Sequence, residues 1–233
     1  MGVVIPRVWR MGSVEFRIAA RAVSWGASGG SLFCKVKLMD RFWRLARASM
    51  EKVLILGASG GIGSALADGF AGRGAQVDRL SRSVDGYDVT DAASVAQHLA
   101  GRGPYDRVVV ATGALVLSHA HALVPRDRPS VVAVLSARVG SIGDNRIGGW
   151  ISYRSAKAAV NQVVRTASVE LARTHGQAAV VALHPGTVAT PFTEKYLGRH
   201  PAVSATDAAD NLIAVMEPLA PAQTGRFFDY SGA

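Results

Sequence analysis

The chain contains almost no cysteine and no long apolar stretch. Cys34 is the only cysteine among the 233 residues, so an intrachain disulfide is excluded, which fits a reducing compartment. A run of about 18 apolar residues, the length that a membrane-spanning helix needs, does not occur. The apolar segment of about 7–15 residues that marks a secretory signal is missing as well. We therefore expect a cytoplasmic protein without a membrane partner.

The histidines offer no metal site. None has the spacing to neighbouring cysteines or carboxylates that a zinc site requires: His98, His119, His121, His175, His184 and His200. Internal repeats and low-complexity tracts are also lacking, which excludes repeat architectures.

The formal net charge of +9 lies mostly at the front of the chain. Residues 1–50 contain nine arginines and lysines against Glu15 and Asp40, which leaves a net charge of only +2 for residues 51–233. Because the basic residues are concentrated in the first fifty positions, the charge gives no case for nucleic-acid binding by the rest of the chain.

Residues 1–49 show no strong periodicity, whereas strand and helix patterns begin just after Met50. We predict a basic N-terminal extension outside the fold (1–49) and a single domain at 50–233. Two explanations of the extension stay open. One is an upstream start codon with Met50 as the natural start, and the other is an Arg-rich, acid-poor organellar targeting peptide.

Strand and helix patterns alternate from Lys52 onward. Short apolar runs at 52–56, 107–111 and 131–135 predict strands buried on both faces, and 64–70 and 207–216 predict helices. This alternation predicts a doubly wound α/β fold, a mostly parallel sheet with helices on both faces. Ligands of such sheets bind at the carboxyl ends of the strands.

A glycine cluster separates the first predicted strand from the first helix: Gly57-Ala58-Ser59-Gly60-Gly61-Ile62-Gly63. A strand, a glycine turn and a helix start place backbone N–H groups and the helix dipole where a phosphate can bind. The spacing, G-x-x-x-G-x-G, differs from the commoner G-x-G-x-x-G fingerprint. A glycine-rich turn of another α/β protein is the alternative interpretation.

Tyr153 and Lys157 are four residues apart, so on a helix both side chains lie on one face, and Asn161 extends that face. A nearby lysine cation favours phenolate, and we expect Lys157 to lower the pKa of Tyr153 toward the working range. A tyrosine and a lysine on an ordinary helix surface are the alternative.

These motifs resemble those of the short-chain dehydrogenase/reductases, a family with a Rossmann fold. Tyr153 and Lys157 match its Y-x-x-x-K, and the segment His184-Pro185-Gly186-Thr187-Val188-Ala189-Thr190 is similar to its P-G-x-V-x-T. The stretch 136–145 followed by Gly148-Gly149-Trp150 is similar to the C-factor-like, carbonyl-reductase-like branch. The resemblance covers roughly residues 52–232.

The resemblance implies a catalytic role for Tyr153 as acid and base, and for Lys157 as the group that holds the nicotinamide ribose. It also implies a serine that polarises the substrate carbonyl. The family's usual position for that serine is Ala137 here. Ser136 is preferred because it ends the apolar strand, with Ser141 as the alternative.

The resemblance further implies a set of cofactor-binding residues: Gly57, Ser59, Gly61, Ile62, Gly63, Ser81, Arg82, Asp88, Val89, Ala111, Gly113, Tyr153, Lys157, Pro185, Gly186, Val188 and Thr190. Ser81 and Arg82 follow the second strand, where an arginine accommodates a 2′-phosphate, so we expect NADP(H) rather than NAD. Asp78 is the competing residue, but it lies early in that strand.

One segment departs from the family pattern. Only nineteen residues, 112–130, join the strands at 107–111 and 131–135, and no asparagine occurs between Gly63 and Asp144. The family's relay asparagine is therefore missing from this connection, although residues 115–124 can still form one helix.

Two functions follow from this pattern. The first is an NADP(H)-dependent oxidoreductase acting on a small carbonyl or alcohol substrate, as a homodimer or homotetramer. The second is a dinucleotide-binding signalling or interaction protein with little turnover.

Overall fold

A computed structural model describes residues 10–11, 14–15, 50–112, 114–191, 193 and 202–233. The chain divides into two compact units, Met1–Ala46 and Arg47–Ala233. The described part of the first unit is a two-residue antiparallel ladder between Arg10–Met11 and Val14–Glu15. The placement of residues 1–49 outside the fold stays a prediction, and Cys34 lies outside the described residues.

The second unit contains a parallel sheet of six strands in its described residues. They are β1 (Lys52–Leu56), β2 (Gln76–Leu80), β3 (Arg107–Val110), β4 (Ser130–Leu135), β5 (Ala178–His184) and β6 (Phe227–Asp229). Their order across the sheet is β2-β1-β3-β4-β5-β6, with Val53 of β1 opposite Val77 on one side and Arg107 on the other. The predicted mostly parallel sheet is confirmed.

Helices cover both faces of this sheet. They are α1 (Gly61–Gly72), α2 (Arg82–Asp85), α3 (Ala92–Leu99), α4 (Ala120–Leu123), α5 (Ile151–Ala172) and α6 (Ala205–Met216), with 3₁₀ turns at Ala114–His119, Arg138–Gly140 and Pro221–Gln223. No helix in the described ranges has the length and apolar character to cross a membrane.

Alternation along the strands builds two cores. Leu54 and Leu56 of β1 join the core beneath α3 and α5, whereas Val53 and Ile55 join the core beneath α1 and α6. All four side chains are fully buried, which explains why parallel strands of this kind appear in the sequence as continuous apolar runs. The predicted doubly wound architecture is therefore confirmed.

The short connection between β3 and β4 does not form the single helix that residues 115–124 could make. It forms the 3₁₀ turn Ala114–His119 and then the single α-turn of α4. A 3₁₀ turn rises about 2.0 Å per residue, against about 1.5 Å in an α-helix, so few residues cover more of the sheet. Val116, Leu117 and Leu123 are buried in this way, and β3 and β4 remain parallel neighbours.

Candidate active site

The glycine turn after β1 is held close to β2 and β3. Gly57 has φ of 92°, a left-handed conformation, and its N–H donates to Leu80 O at 2.7 Å. A Cβ at Gly57 would lie 2.5 Å from Cγ2 of Thr112, and one at Gly63 would lie 2.2 Å from Gly57 O. Both positions therefore exclude any side chain, and the absence of Cβ atoms lets the glycine turn lie close to the ends of β2 and β3.

Helix α1 starts at this turn without a side-chain cap. Its N-cap is Gly60, and no acidic residue occupies its first turn, so the first amides and the positive end of the helix dipole are free to bind an anion. Ser59 is exposed and Ile62 is half-buried against the core. The exposed Gly61 lies against Thr190, whose Cγ2 would be 2.9 Å from an added Cβ.

The end of β2 presents Arg82 to solvent. Ser81 is buried, and its N–H and hydroxyl both donate to Asp85 Oδ2, at 2.8 and 3.3 Å. Arg82 is exposed and forms no ion pair with any described residue. Asp78 accepts a hydrogen bond from the Tyr105 hydroxyl at 2.5 Å, and burial raises the pKa of that tyrosine to about 12. Asp78 is thus hydrogen-bonded in the middle of the strand, away from the strand end where Arg82 lies.

Three further predicted cofactor residues line the neighbouring loops. Asp88 accepts from the N–H and the hydroxyl of Thr90 at 2.8 and 2.7 Å, and these bonds hold its pKa below the usual value. Val89 is half-buried against the core beneath α3 and α5. Ala111 donates its N–H to Leu56 O at 2.8 Å, which keeps the loop after β3 beside the glycine turn. Gly113 lies outside the described residues.

Tyr153 and Lys157 share one face in the first turns of α5. The Lys157 ammonium donates to Leu135 O at 3.1 Å and lies 5.9 Å from the centroid of the Tyr153 ring. Burial raises the pKa of Tyr153, and burial also lowers the pKa of Lys157. The expected lowering of the Tyr153 pKa by Lys157 is therefore wrong, because burial sets the direction of the shift and favours the neutral phenol.

The two candidate serines have different surroundings. Ser136 is buried at the end of β4, and its hydroxyl donates to Oδ1 of Asn161 at 2.6 Å. Ser141 is half-buried and accepts from the Asp144 N–H at 3.2 Å, so its own hydroxyl hydrogen remains available. The spacing of the sequence places Asn161 on the Tyr153 face but does not predict its contact with Ser136.

The segment after β5 closes over the same edge of the sheet. Pro185 and Val188 are buried, and Gly186 has φ of 78°, where an added Cβ would lie 3.0 Å from the Tyr230 ring. Thr190 donates its N–H to the Thr193 hydroxyl at 3.0 Å. With the contact of Thr190 on Gly61, the structure brings this segment beside the glycine turn.

Two features of the site carried no signal in the sequence. A Cβ at Gly140 would lie 2.7 Å from the carbonyl carbon of Lys157, so this glycine allows α5 to pack closely on the turn after β4. His184 at the end of β5 is half-buried, and burial lowers its pKa. The positive charges of Arg138 and Lys157 lower this pKa further, whereas the negative charge of Asp229 raises it. Arg138 is ion-paired with the buried Asp229. Such contacts depend on tertiary approach, not on spacing along the chain.

Known proteins resemble this chain over part of its length. The family model described as short chain dehydrogenase matches residues 105–199. Over 96 residues the chain is 41% identical to 1-hydroxy-2-glutathionyl-2-methyl-3-butene dehydrogenase of Rhodococcus sp. (strain AD45), covering 41% of this chain and 42% of that protein. Over 101 residues it is 40% identical to the C-signal of Myxococcus xanthus, covering 43% of this chain and 57% of that protein. The chain thus spans about half the length of the curated relatives it matches.

The fold has close counterparts among solved structures. A carbonyl reductase from Pseudomonas aeruginosa PAO1 superposes with a TM-score of 0.60 at 25% identity, covering 78% of this chain and 98% of that chain. A short-chain dehydrogenase/reductase from Burkholderia multivorans with bound NADP superposes with a TM-score of 0.61 at 24% identity, covering 78% and 97%.

Proposed function

The chain belongs to the short-chain dehydrogenase/reductase family, and from this premise we propose that it is an NADP(H)-dependent oxidoreductase that interconverts a carbonyl and an alcohol. The observation that carries the proposal is the position of Tyr153 and Lys157 on one face of α5, with Lys157 anchored to the end of β4. A phenol and an ammonium at the carboxyl edge of a parallel sheet, beside a glycine turn, can serve a bound dinucleotide and its substrate together.

The residues at the glycine turn fit a dinucleotide. At Gly57 and Gly63 a side chain would fill the cradle, and the uncapped start of α1 offers amides to a pyrophosphate. Arg82 would pair with a 2′-phosphate because it is exposed and forms no ion pair with a described residue, which supports NADP(H) over NAD(H). The NADP bound to the Burkholderia multivorans protein supports the same choice.

When bound, the nicotinamide supplies the hydride. Tyr153 would donate its phenolic proton to the carbonyl oxygen as the alcohol forms, and would take that proton back in the reverse direction. Lys157 would hold the ribose while its bond to Leu135 O fixes the ammonium at the end of β4. A raised pKa keeps Tyr153 protonated at neutral pH, so the free protein is prepared for reduction more than for oxidation.

The position of Ser136 at the end of the strand makes it the expected donor to the substrate carbonyl. The surroundings of the two serines favour Ser141 for this role. Ser136 is buried and donates its hydrogen to Asn161, whereas Ser141 keeps its hydrogen. Ser136 would be a donor to substrate only if the Asn161 amide were turned so that its NH₂ group donates to Ser136.

The second candidate is a dinucleotide-binding protein with little turnover. It is supported by the openness of the site, because Tyr153 is 41% exposed and Trp150 is 59% exposed. An open site admits water and weakens electrostatic stabilisation of the transition state.

Kinetics of the purified full chain separate the two candidates. We expect NADPH-dependent reduction of activated aldehydes and ketones, lost by about 10²–10⁴-fold in Tyr153→Phe while NADPH affinity is retained. Reduction should stay level across neutral pH, whereas alcohol oxidation should rise toward pH 10, because it requires phenolate and the pKa of Tyr153 is raised. NADPH binding without any turnover over a broad carbonyl panel would favour the second candidate.

A further inference from the structure

Helix α2 depends on contacts from outside itself for its position. It is a single turn of four residues, and all four of its side chains are exposed, including Arg82 and Asp85. A lone helical turn is unstable, because its formation fixes several residues for one hydrogen bond. Since α2 has no buried side chain to anchor it, the hydrogen bonds at its two ends determine where Arg82 lies.

Both ends of α2 are hydrogen-bonded. At the start, the Asp85 carboxylate accepts from the N–H and the hydroxyl of Ser81, which holds the turn to the end of β2. At the end, Nε2 of His98 lies 3.0 Å from Asp85 O. The last carbonyl groups of a helix have no partner within the helix, so the His98 ring satisfies one of them from a neighbouring helix.

The ring of His98 is fixed in orientation on α3. It is half-buried and packs edge-to-face with the buried Tyr87 ring, with the two centroids 5.7 Å apart. A carbonyl oxygen can only accept a hydrogen bond, so we assign a hydrogen to Nε2, which donates to Asp85 O. Nδ1 lies 2.8 Å from Ser94 O and 3.3 Å from the Ser94 hydroxyl. Nδ1 can therefore accept from the hydroxyl in the neutral ring or donate to the carbonyl in the imidazolium, and the bond to Asp85 O is kept in both forms.

Ser94, one turn before His98 on α3, holds a different part of the same loop. Its hydroxyl accepts from the Asp88 N–H at 3.0 Å. A carboxylate repels a phosphate, so Asp88 would serve the part of the dinucleotide that NADP(H) and NAD(H) share. Arg82 would meet the 2′-phosphate that NADP(H) alone carries. The two α3 side chains therefore support different parts of cofactor recognition.

We propose that His98 is a positioning residue for cofactor selectivity: its bond to Asp85 O holds α2 so that Arg82 lies where a 2′-phosphate binds. The inference rests on the proposed function, because it takes NADP(H) as the cofactor. It goes beyond that function in assigning the preference for NADPH to a side chain of α3 that acts through α2.

Two amide substitutions test the contact. The amide nitrogen of glutamine has the reach of Nε2 of histidine, whereas the amide nitrogen of asparagine has the shorter reach of Nδ1. His98→Gln therefore keeps a donor for Asp85 O and should retain the parent's ratio of NADPH to NADH affinity. His98→Asn loses the donor, and we expect this ratio to fall about 3–10-fold, the range of one hydrogen bond. Calorimetric titration of the full chain without substrate measures both affinities, and 2′,5′-ADP and 5′-AMP serve as probes that lack the nicotinamide.

Three further variants locate the effect. Ser94→Ala should weaken NADPH and NADH equally and leave the ratio unchanged. Gln97→Ala, the matched control, trims an exposed side chain of α3 and should alter neither affinity. In an Arg82→Ala background, His98→Asn should cause no further loss of NADPH affinity, because a residue that acts through Arg82 then has nothing to position. Additive losses in the double variant would overturn the proposal.

The outcomes distinguish this inference from the proposed function. A preference for NADPH, and for 2′,5′-ADP over 5′-AMP, that His98→Asn weakens in a protein without carbonyl reduction supports the positioning role and contradicts the oxidoreductase. A parent without preference for NADPH overturns the positioning role even where NADH supports turnover. Thermal denaturation reports a purely structural role: a lower melting temperature of His98→Asn with an unchanged affinity ratio would also overturn the proposal.

Discussion

The Ser136 hydroxyl donates to Oδ1 of Asn161 at 2.6 Å, which ties the end of β4 to α5 two turns beyond Tyr153. Lys157 lies between Tyr153 and Asn161 on the helix, and its ammonium donates to Leu135 O at the end of the same strand. Leu135, the last residue of β4, and Ser136, which follows it, therefore fix the helix face that carries the phenol and the ammonium. In this arrangement the Ser136 hydroxyl and the Asn161 amide join the strand end to the helix.

The first prediction separates the two serines. Ser141→Ala should lower kcat for carbonyl reduction about 10²-fold without loss of stability, because it removes a hydrogen-bond donor to the developing oxyanion. Ser136→Ala should reduce the free energy of unfolding by about 1–3 kcal/mol, because it leaves the Asn161 amide without its buried partner. Chemical denaturation and steady-state kinetics on both variants measure this. The reverse pattern, with kcat lost in Ser136→Ala alone, would restore Ser136 as the donor.

The second prediction concerns cofactor choice. Arg82→Ala should weaken NADPH binding by about 10–100-fold, the range of a charge-assisted hydrogen bond to a phosphate, and leave NADH binding unchanged. Fluorescence titration with both cofactors measures this. Arg79→Ala is the matched control, since Arg79 is a nearby arginine already paired with Asp68 at 2.7 Å, and it should alter neither affinity. Equal NADPH and NADH affinities in the parent would contradict the assignment.

In the second unit, the strands and helices that follow from a local pattern of apolar residues or from residue spacing could be predicted from the sequence. The run 52–56 is β1, and the four-residue spacing of Tyr153 and Lys157 does place both on one face of a helix. The strands appear in the sequence as continuous apolar runs because both faces of the sheet are covered by helices. Such a run can be recognised without knowing which elements pack against the strand.

What the sequence did not predict depends on tertiary approach. The connection 112–130 forms a 3₁₀ turn because its few residues must cover the sheet, a constraint set by the strands on either side. The pKa of Tyr153 follows burial, which the spacing to Lys157 does not report. The Arg154 guanidinium joins residues on both sides of a loop, and a motif of fixed spacing cannot encode these contacts.

The third prediction uses three glycines of the same turn and helix. Gly63→Ala should destabilise the fold by about 1–3 kcal/mol and abolish NADPH binding, because its Cβ would lie 2.2 Å from Gly57 O in backbone that cannot yield. Gly60→Ala, with its nearest atom at 3.4 Å, should be far milder in stability. Gly72→Ala meets nothing within 4 Å at the end of α1 and should stabilise by up to about 1 kcal/mol. Thermal denaturation with and without NADPH ranks the three, and an equal effect of Gly63→Ala and Gly60→Ala would contradict the close packing of the turn.

The last prediction concerns stability in mild acid. Burial lowers the pKa of both His175 and His184 below the ordinary histidine value. In the unfolded chain these two histidines therefore bind protons at about pH 6.5, whereas in the folded chain they are still neutral at that pH. It follows that the free energy of unfolding falls as the pH drops through about 6.5, and continues to fall until the folded-state values are reached.

Carboxylates act in a lower window, which keeps the two effects apart. Hydrogen bonds from Ser231 hold the pKa of Asp229 below its usual value, so its contribution is lost only as the pH falls below about 4. Urea denaturation between pH 5 and 8 thus isolates the histidines. His175→Gln and His184→Gln should each flatten the decline, and it is the slope with pH that is compared, because the substitutions also alter packing. A parent whose stability is constant from pH 7.5 to 5, or variants with the parent's slope, would show that these two rings are not the groups whose protonation opposes folding.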